Sequence, residues 1–226
     1  MKVVALEADP SALIFDLDNT LYTNPAYAAF QEDALVRRLG RELGLGPTDA
    51  AARIASLRTE RSATGLGKTS LGTLFAALGI EIATSVRWRE ECIEPAAWLK
   101  RDFLLDCALG LLSKNYSLAL MTNNPRLIGE KSLEALGVRA RFSVLVGLDD
   151  TLHSKPASEP FKETARRLGV EASRCISIGD RFDVDLAPAL ELGMGAILVD
   201  GVEDVYRLPK IFAERSLHSS RPAGQA

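Results

Sequence analysis

Residues 12–22 read Ala12-Leu13-Ile14-Phe15-Asp16-Leu17-Asp18-Asn19-Thr20-Leu21-Tyr22. An apolar run ends on two acids with one residue between them. Buried parallel strands are written as such runs, without alternation, because both faces of their sheet are covered. Open α/β sheets place their sites outside the C-terminal ends of strands, which is where Asp16 and Asp18 fall. Alternate residues of an extended chain share a side, so both carboxylates can address one ligand. A single acid here is equally well explained as a cap on the next element. Two acids followed by Thr20 are harder to explain that way. Neighbouring carboxylates repel unless a cation or a proton lies between them, and Mg²⁺ is the expected hard cation for oxygen ligands.

Further apolar runs follow at Ser117 to Met121, Phe142 to Val146, Cys175 to Gly179 and Ala196 to Asp200. Amphipathic segments separate them. Pro125 to Leu136 stops before Gly137, Glu159 to Leu168 before Gly169, and Asp183 to Leu192 before Gly193. A glycine just past a periodic segment suits a left-handed helix cap. This rhythm predicts the α/β class with a doubly wound parallel sheet. From Asn24 to about Leu99 no strand pattern is found. Tyr27, Phe30 and Ala34 share one helical face, as do Leu35, Leu39 and Leu43, and Leu71, Leu74, Phe75 and Leu78 keep helical spacing before Gly79. The expectation is a small helical domain, residues 24–99, inserted in a discontinuous core of residues 1–23 and 100–226.

Composition bounds the rest. The 226 residues, 47% hydrophobic, suffice for one α/β core with a smaller insert. A net charge of −3 suggests no nucleic-acid polymer as partner and no membrane field. No apolar run has the length of a bilayer span, and Met1 to Pro10 lacks the unbroken apolar region of a signal peptide. Cys92, Cys107 and Cys175 are scattered and follow no metal-ligand spacing, so they read as three buried thiols in a reducing, cytoplasmic compartment. The histidines are His153 and His218, and neither sits in a motif for a metal site or a nucleophile triad.

Three more strand ends carry polar groups. Thr122-Asn123-Asn124 follows the second run, which by itself is also an ordinary strand-to-helix turn before Pro125. Lys155, fixed by Pro156, follows the third; a loop lysine is usually solvated. Gly179-Asp180 ends the fourth, with Asp183 and Asp185 behind it; either of those could simply start the next helix. Together the four ends bring acids, a hydroxyl and a lysine to one edge of one sheet, the outline of an oxyanion and metal site.

Asp16-Leu17-Asp18-Asn19-Thr20, then Thr122, then Lys155, then Gly179-Asp180 with Asp185, resembles the four-part signature of the haloacid-dehalogenase-like superfamily. The resemblance covers roughly residues 11–23 and 101–200. It implies a Rossmann-like three-layer core with a parallel sheet and an inserted helical cap domain. It further implies that Asp16 attacks phosphorus and becomes an aspartyl phosphate, while Asp18 protonates the leaving oxygen and then activates water. Mg²⁺ is held by the Asp16 carboxylate, the Asp18 backbone carbonyl and Asp180, with Asp185 supporting. Thr122, Lys155 and backbone N–H groups near Leu17 and Asn123 hold phosphate oxygens. The acid at Asp18 sets the chain apart from haloacid dehalogenases, which lack it. A helical cap implies a small phosphomonoester substrate, and the expected assembly is a monomer or homodimer.

Within the superfamily, Asn19 to Tyr22 and Thr64 to Ile80 are loosely similar to the pyrimidine 5′-nucleotidase-like branch. That makes a nucleoside 5′-monophosphate the first expectation, with Trp88 stacking on the base and nearby Arg87 or Arg89 meeting ribose or phosphate. Arg53, Arg58, Arg61, Lys68 and Arg87 are further cap candidates. Sugar-phosphate and phosphoglycolate phosphatases, phosphomutases and a catalytically silent ligand-binding relative are the alternatives. Ser62 to Thr69 resembles a P-loop, but Ser62 replaces the first glycine and a helical pattern precedes it where a strand is required.

Overall fold

In the computed structural model, which describes residues 1–6, 9–63 and 70–219, the run Ala12–Phe15 forms β2 at the centre of a six-stranded sheet. The other strands are β1 (Lys2–Ala5), β3 (Ser117–Met121), β4 (Val144–Val146), β5 (Cys175–Gly179) and β6 (Gly195–Leu198). Their order is β1-β6-β5-β2-β3-β4. All neighbours are parallel except β1, which runs antiparallel to β6 at the edge. The sequence did not announce β1: it is short, lies at the edge and is partly exposed, so no buried run marks it.

Successive residues of β2 point to opposite faces. Leu13 and Phe15 join one apolar cluster with Leu118, Leu120, Ile176 and Ile178, while Ala12 and Ile14 join another with Ala119, Met121 and Cys175. Helices α5 (Phe103–Leu112), α6 (Arg126–Leu136) and α10 (Val202–Ser219) contribute to the first cluster; α8 (Glu159–Leu168) and α9 (Ala187–Glu191) contribute to the second. Both faces are thus covered, which is why the strands read as continuous apolar runs. Gly137, Gly169 and Gly193 adopt positive φ at the ends of their helices, as the sequence suggested. The helix expected from Asp183 begins as a single π turn, Phe182–Leu186, before α9. Helix α10 was not read from the sequence, although Val205, Leu208 and Phe212 on it are buried at helical spacing. It runs to Ser219, and residues 220–226 lie outside the described ones. Of the three cysteines expected to be buried, Cys175 is, on β5 in the core, while Cys92 is half-buried and Cys107 is exposed on α5.

Between Asn24 and Leu99 the described residues contain no strand, and their α-helices are α1 (Pro25–Leu43), α2 (Pro47–Ala63), α3 (Leu71–Ala77) and α4 (Ile82–Cys92). Asn24 caps α1 by accepting from the Tyr27 N–H at 3.0 Å, and its amide donates to the Trp98 carbonyl at 3.1 Å. Tyr27 stacks on Trp98 with ring centroids 5.8 Å apart. Where the chain enters and leaves the helical segment, the two strands of backbone are therefore tied together. The P-loop-like stretch lies outside the described residues from Thr64 to Thr69; Ser62 and Ala63 are the last helical residues of α2.

Candidate active site

Phe15 pairs in register with Leu120 and with Ile178, so β2, β3 and β5 leave the sheet side by side. The Asp16 N–H donates to the Ile178 carbonyl at 2.9 Å, and the Thr122 N–H to the Val146 carbonyl at 3.0 Å. These bonds carry the ladder one residue further and fix where both side chains begin. Asp16 and Thr122 are buried, and Lys155 is fully buried beneath them.

Lys155 is the hub. Its Nζ donates to Asp16 Oδ1 at 2.6 Å and to the Met121 carbonyl at 3.0 Å. It also forms an ion pair with Asp185 Oδ1 at 2.7 Å. Burial works against the ammonium, but the carboxylates of Asp16 and Asp185 outweigh it and hold the lysine above its ordinary pKa. A loop lysine is normally solvated. This one is held in by Asn123, whose Oδ1 accepts from the Lys155 N–H at 2.7 Å while its Nδ2 donates to the Lys155 carbonyl at 3.1 Å. The Asn123 side chain is thus a clasp between the end of β3 and the lysine loop.

Burial pushes the Asp16 carboxyl up to about 7; Lys155 opposes the rise and Asp185 adds to it. Asp16 Oδ2 is buried and accepts no hydrogen bond among the described residues. Leaving such an oxygen unmade is costly, which is the condition expected of an atom reserved for a ligand. Asp180 is also raised, chiefly by burial, while its hydrogen bond from Asn19 acts against the rise. Asn19 Nδ2 donates to Asp180 Oδ2 at 3.1 Å, with Asn19 itself in the left-handed region at φ 55°. Asparagine tolerates that region better than most residues.

Asp185 is buried, unlike the exposed Asp183, and accepts from the Arg181 N–H at 3.1 Å. Gly179 makes this possible, since a Cβ there would come within 2.5 Å of the Asp185 Cβ. Asp16, Asp180 and Asp185 each offer a carboxylate oxygen, all within 4.8 Å of one another. Lys155 and Arg181 are the cations close by, so the three acids outnumber them. The donors are hard oxygens, negative charge is in excess, and one oxygen is orphaned. That set fits a hard divalent cation.

The Asp18 side chain stands apart from this group. Its Oδ1 accepts from the Tyr22 hydroxyl and from Gln31 Nε2 (3.1 Å), and its Oδ2 accepts from Asn124 Nδ2 at 2.9 Å. Burial, then the neighbouring Asp18 charge, pushes the Tyr22 phenol far up, so it donates rather than ionises. Gln31 reaches over from α1, where it lies between Tyr27 and Leu35 on the buried face. Sequence reasoning missed Gln31, Asn124 and Asn19 as site residues. Gln31 alone left a sequence signal, as a polar residue on an otherwise apolar stripe.

A cavity of about 330 Å³ opens above these groups, lined by Asp18 and Asp180 from the core and by Gln31, Arg58 and Arg89 from the helices. Arg58 is paired to Glu32 at 2.7 Å. The other proposed cap contacts lie elsewhere. Trp88 is buried against Phe75, with the Arg38 guanidinium 4.8 Å above its ring, so it cannot stack on a substrate in the cavity. Arg87 is exposed and donates to Thr84, and Arg53 is exposed; neither lines the cavity, nor does Arg61. Lys68 lies outside the described residues.

The family model of the haloacid dehalogenase-like hydrolases matches residues 10–193. The chain is 27% identical over 201 residues to a glyceraldehyde 3-phosphate phosphatase of Methanothermobacter thermautotrophicus, covering 84% of this chain and 85% of that one. It is 25% identical over 206 residues to a ribulose-1,5-bisphosphate 5-phosphatase of Halopiger xanaduensis, covering 86% of each. The fold is that of a HAD phosphatase from Thermococcus onnurineus, with a TM-score of 0.63 at 23% identity over 89% of this chain and 97% of that one. No helix among the described residues is long and apolar enough to cross a membrane.

Proposed function

The chain belongs to the haloacid dehalogenase-like hydrolases, and from that premise we propose that it is a Mg²⁺-dependent phosphatase of a small phosphorylated metabolite, with Asp16 as nucleophile. The observation that carries this reading is the state of the Asp16 carboxylate: one oxygen is held by Lys155, and the other is buried and unpartnered. Lys155 fixes the orientation of the carboxylate, so Oδ2 is the atom free to form the bond to phosphorus as the ester oxygen departs. Asp18 gives that oxygen its proton, then takes one from the water that cleaves the aspartyl phosphate. Both Asp18 oxygens are engaged, so one of its present partners must yield when the leaving group arrives. Thr122, Lys155 and the N–H groups of Leu17 and Asn123 hold the phosphate oxygens. Asp16, the Asp18 carbonyl and Asp180 would hold Mg²⁺, with Asp185 behind them. The ion supplies charge neutralisation for the phosphoryl group and for the crowded acids.

Residues 24–99 act in this reading as a cap that excludes water from the cavity. Two observations favour phosphosugars and phospho-acids over a nucleoside 5′-monophosphate. Trp88, the residue proposed to stack on a base, is committed to Phe75 and Arg38. Two relatives that match most of this chain are phosphatases of glyceraldehyde 3-phosphate and ribulose-1,5-bisphosphate. The test is phosphate release from a panel of phosphorylated metabolites with Mg²⁺ and again in chelator. Turnover is expected on phosphosugars or phosphoglycolate, with loss of activity in chelator. Full turnover without a divalent ion would remove the metal site. Clear preference for pyrimidine monophosphates would restore the nucleotide reading, and isomer formation in place of phosphate release would point to a mutase.

Gln31 is a positioning residue in this scheme, since it acts on Asp18. Gln31→Ala is expected to lower kcat on the order of tenfold with little change in KM, because proton transfer suffers while phosphate contacts remain. A rise in KM at constant kcat would instead make Gln31 a substrate contact. Unchanged kinetics would leave it only a packing role.

A further inference from the structure

The Arg89 side chain on α4 is a buried cation with no acid paired to it among the described residues. It is 5% exposed. Its Nη1 donates to the Ser85 carbonyl at 3.2 Å and to the Ser85 hydroxyl. Both partners belong to its own helix and are neutral, so they aim the guanidinium without compensating its charge. The N–H groups on Nε and Nη2 have no partner among the described residues. Nη2 looks past Gly72, where an added Cβ would lie 3.9 Å away. Burial lowers the arginine to about 10, with the Asp18 charge acting against the fall, so it stays cationic at neutral pH.

The acids around the cavity are already engaged. Glu32 binds Arg58, Asp180 accepts from Asn19, and Asp18 accepts from Tyr22, Gln31 and Asn124. Outside the described residues, 64–69 and 220–226 contain no acidic side chain, and Glu7 is the one acidic residue. A buried charge is ordinarily paired. The guanidinium fork matches the planar or three-fold oxygens of carboxylate and phosphate. Arg89 lines the same cavity as Asp18 and Asp180, but it comes from α4 and is paired with neither.

We propose that Arg89 receives a second anionic group of the substrate, so that the preferred substrates carry a carboxylate or a further phosphate beside the phosphate that is cleaved. This rests on the phosphatase reading and narrows it. Phosphoglycolate, with its carboxylate, and ribulose-1,5-bisphosphate, with its second phosphate, meet the requirement. Glyceraldehyde 3-phosphate does not. An uncharged substituent would leave the buried arginine desolvated and unpaired, and sites built around such a group discriminate strongly against ligands that cannot satisfy it.

The experiment compares kcat/KM for phosphoglycolate, ribulose-1,5-bisphosphate and glyceraldehyde 3-phosphate in the unsubstituted protein and in Arg89→Gln. One of the two doubly anionic substrates is expected to lead glyceraldehyde 3-phosphate by about 100-fold, and Arg89→Gln is expected to collapse that ratio towards one. Which of the two leads assigns carboxylate or phosphate. Gly72→Asp provides a second variant that leaves Arg89 in place. It sets a carboxylate beside Nη2 in the first turn of α3, where an acid suits the helix, and should collapse the ratio by occupying the arginine from within. A ratio near one in the unsubstituted protein, or a ratio unmoved within about threefold in both folded variants, overturns the proposal. If none of the three compounds releases phosphate while an aryl phosphate is hydrolysed, the phosphosugar and phosphoglycolate reading fails; if the aryl phosphate is not hydrolysed either, the phosphatase reading fails. Calorimetric binding of the same compounds then decides the inference alone: Arg89-dependent preference for a doubly anionic compound supports it, and the absence of such preference overturns it.

Discussion

Asp16→Asn is expected to abolish turnover, lowering kcat by about 10⁴-fold or more, while the protein remains folded. The amide keeps the shape of the carboxylate but cannot attack phosphorus to give an aspartyl phosphate. Folding should be nearly indifferent. The substitution removes one of the acids crowded around Lys155, which keeps Asp185 as an ion-pair partner at 2.7 Å. It also removes a group whose burial already pushes it up to about 7. The measurement pairs phosphate release in Mg²⁺ with a thermal melt. Activity within tenfold of the unsubstituted protein would sink the nucleophile assignment. Lost activity accompanied by unfolding would instead show that Asp16 is needed for structure.

Lys155→Met is expected to lose activity and, unlike Asp16→Asn, to lose stability as well. Lys155 is fully buried and its ammonium faces Asp16, Asp185 and the Met121 carbonyl. Breaking a buried pair from one side strands the charge left behind, at a cost of about 3–5 kcal/mol. In a chain of this size that corresponds to a fall in Tm on the order of 10 °C. Mg²⁺ should return part of the loss, because a cation among Asp16, Asp180 and Asp185 compensates the same carboxylates. The double variant Lys155→Met, Asp16→Asn should be less destabilised than Lys155→Met alone, since one of the stranded acids is gone. Equal melting of Lys155→Met and the unsubstituted protein would show that the buried ion pairs contribute nothing to the fold.

Phe182 to Asp185 illustrates how position changes the meaning of an acid. In the sequence, Asp183 and Asp185 are equivalent candidates for starting a helix. In the fold the π turn sends Asp183 to solvent and brings Asp185 under the sheet edge, against Gly179 and Lys155. Lys155 shows the same thing in reverse. A loop lysine before proline reads as solvated, yet the Asn123 clasp draws it into the least exposed position of the site. Trp88 was legible only as an aromatic on a helix, and its direction was decided by Phe75 and Arg38.

The sequence by itself determined the strand order of events: apolar runs without alternation, each ending on a polar residue, can be buried on both faces only in a covered parallel sheet. That was enough to put Asp16, Thr122, Lys155 and Asp180 at one edge, because strand direction fixes which end a residue occupies. It was also enough to make the described part of residues 24–99 helical, because periodicity is local. The tertiary structure decided everything that depends on distances between segments far apart in the chain. Gln31 reaches Asp18 from α1, Asn124 reaches it from the turn after β3, and Arg89 lines the cavity while Trp88 beside it does not. A helical pattern states which residues share a face, but only the packing of that face against its neighbours states which polar group on it is left looking for a partner.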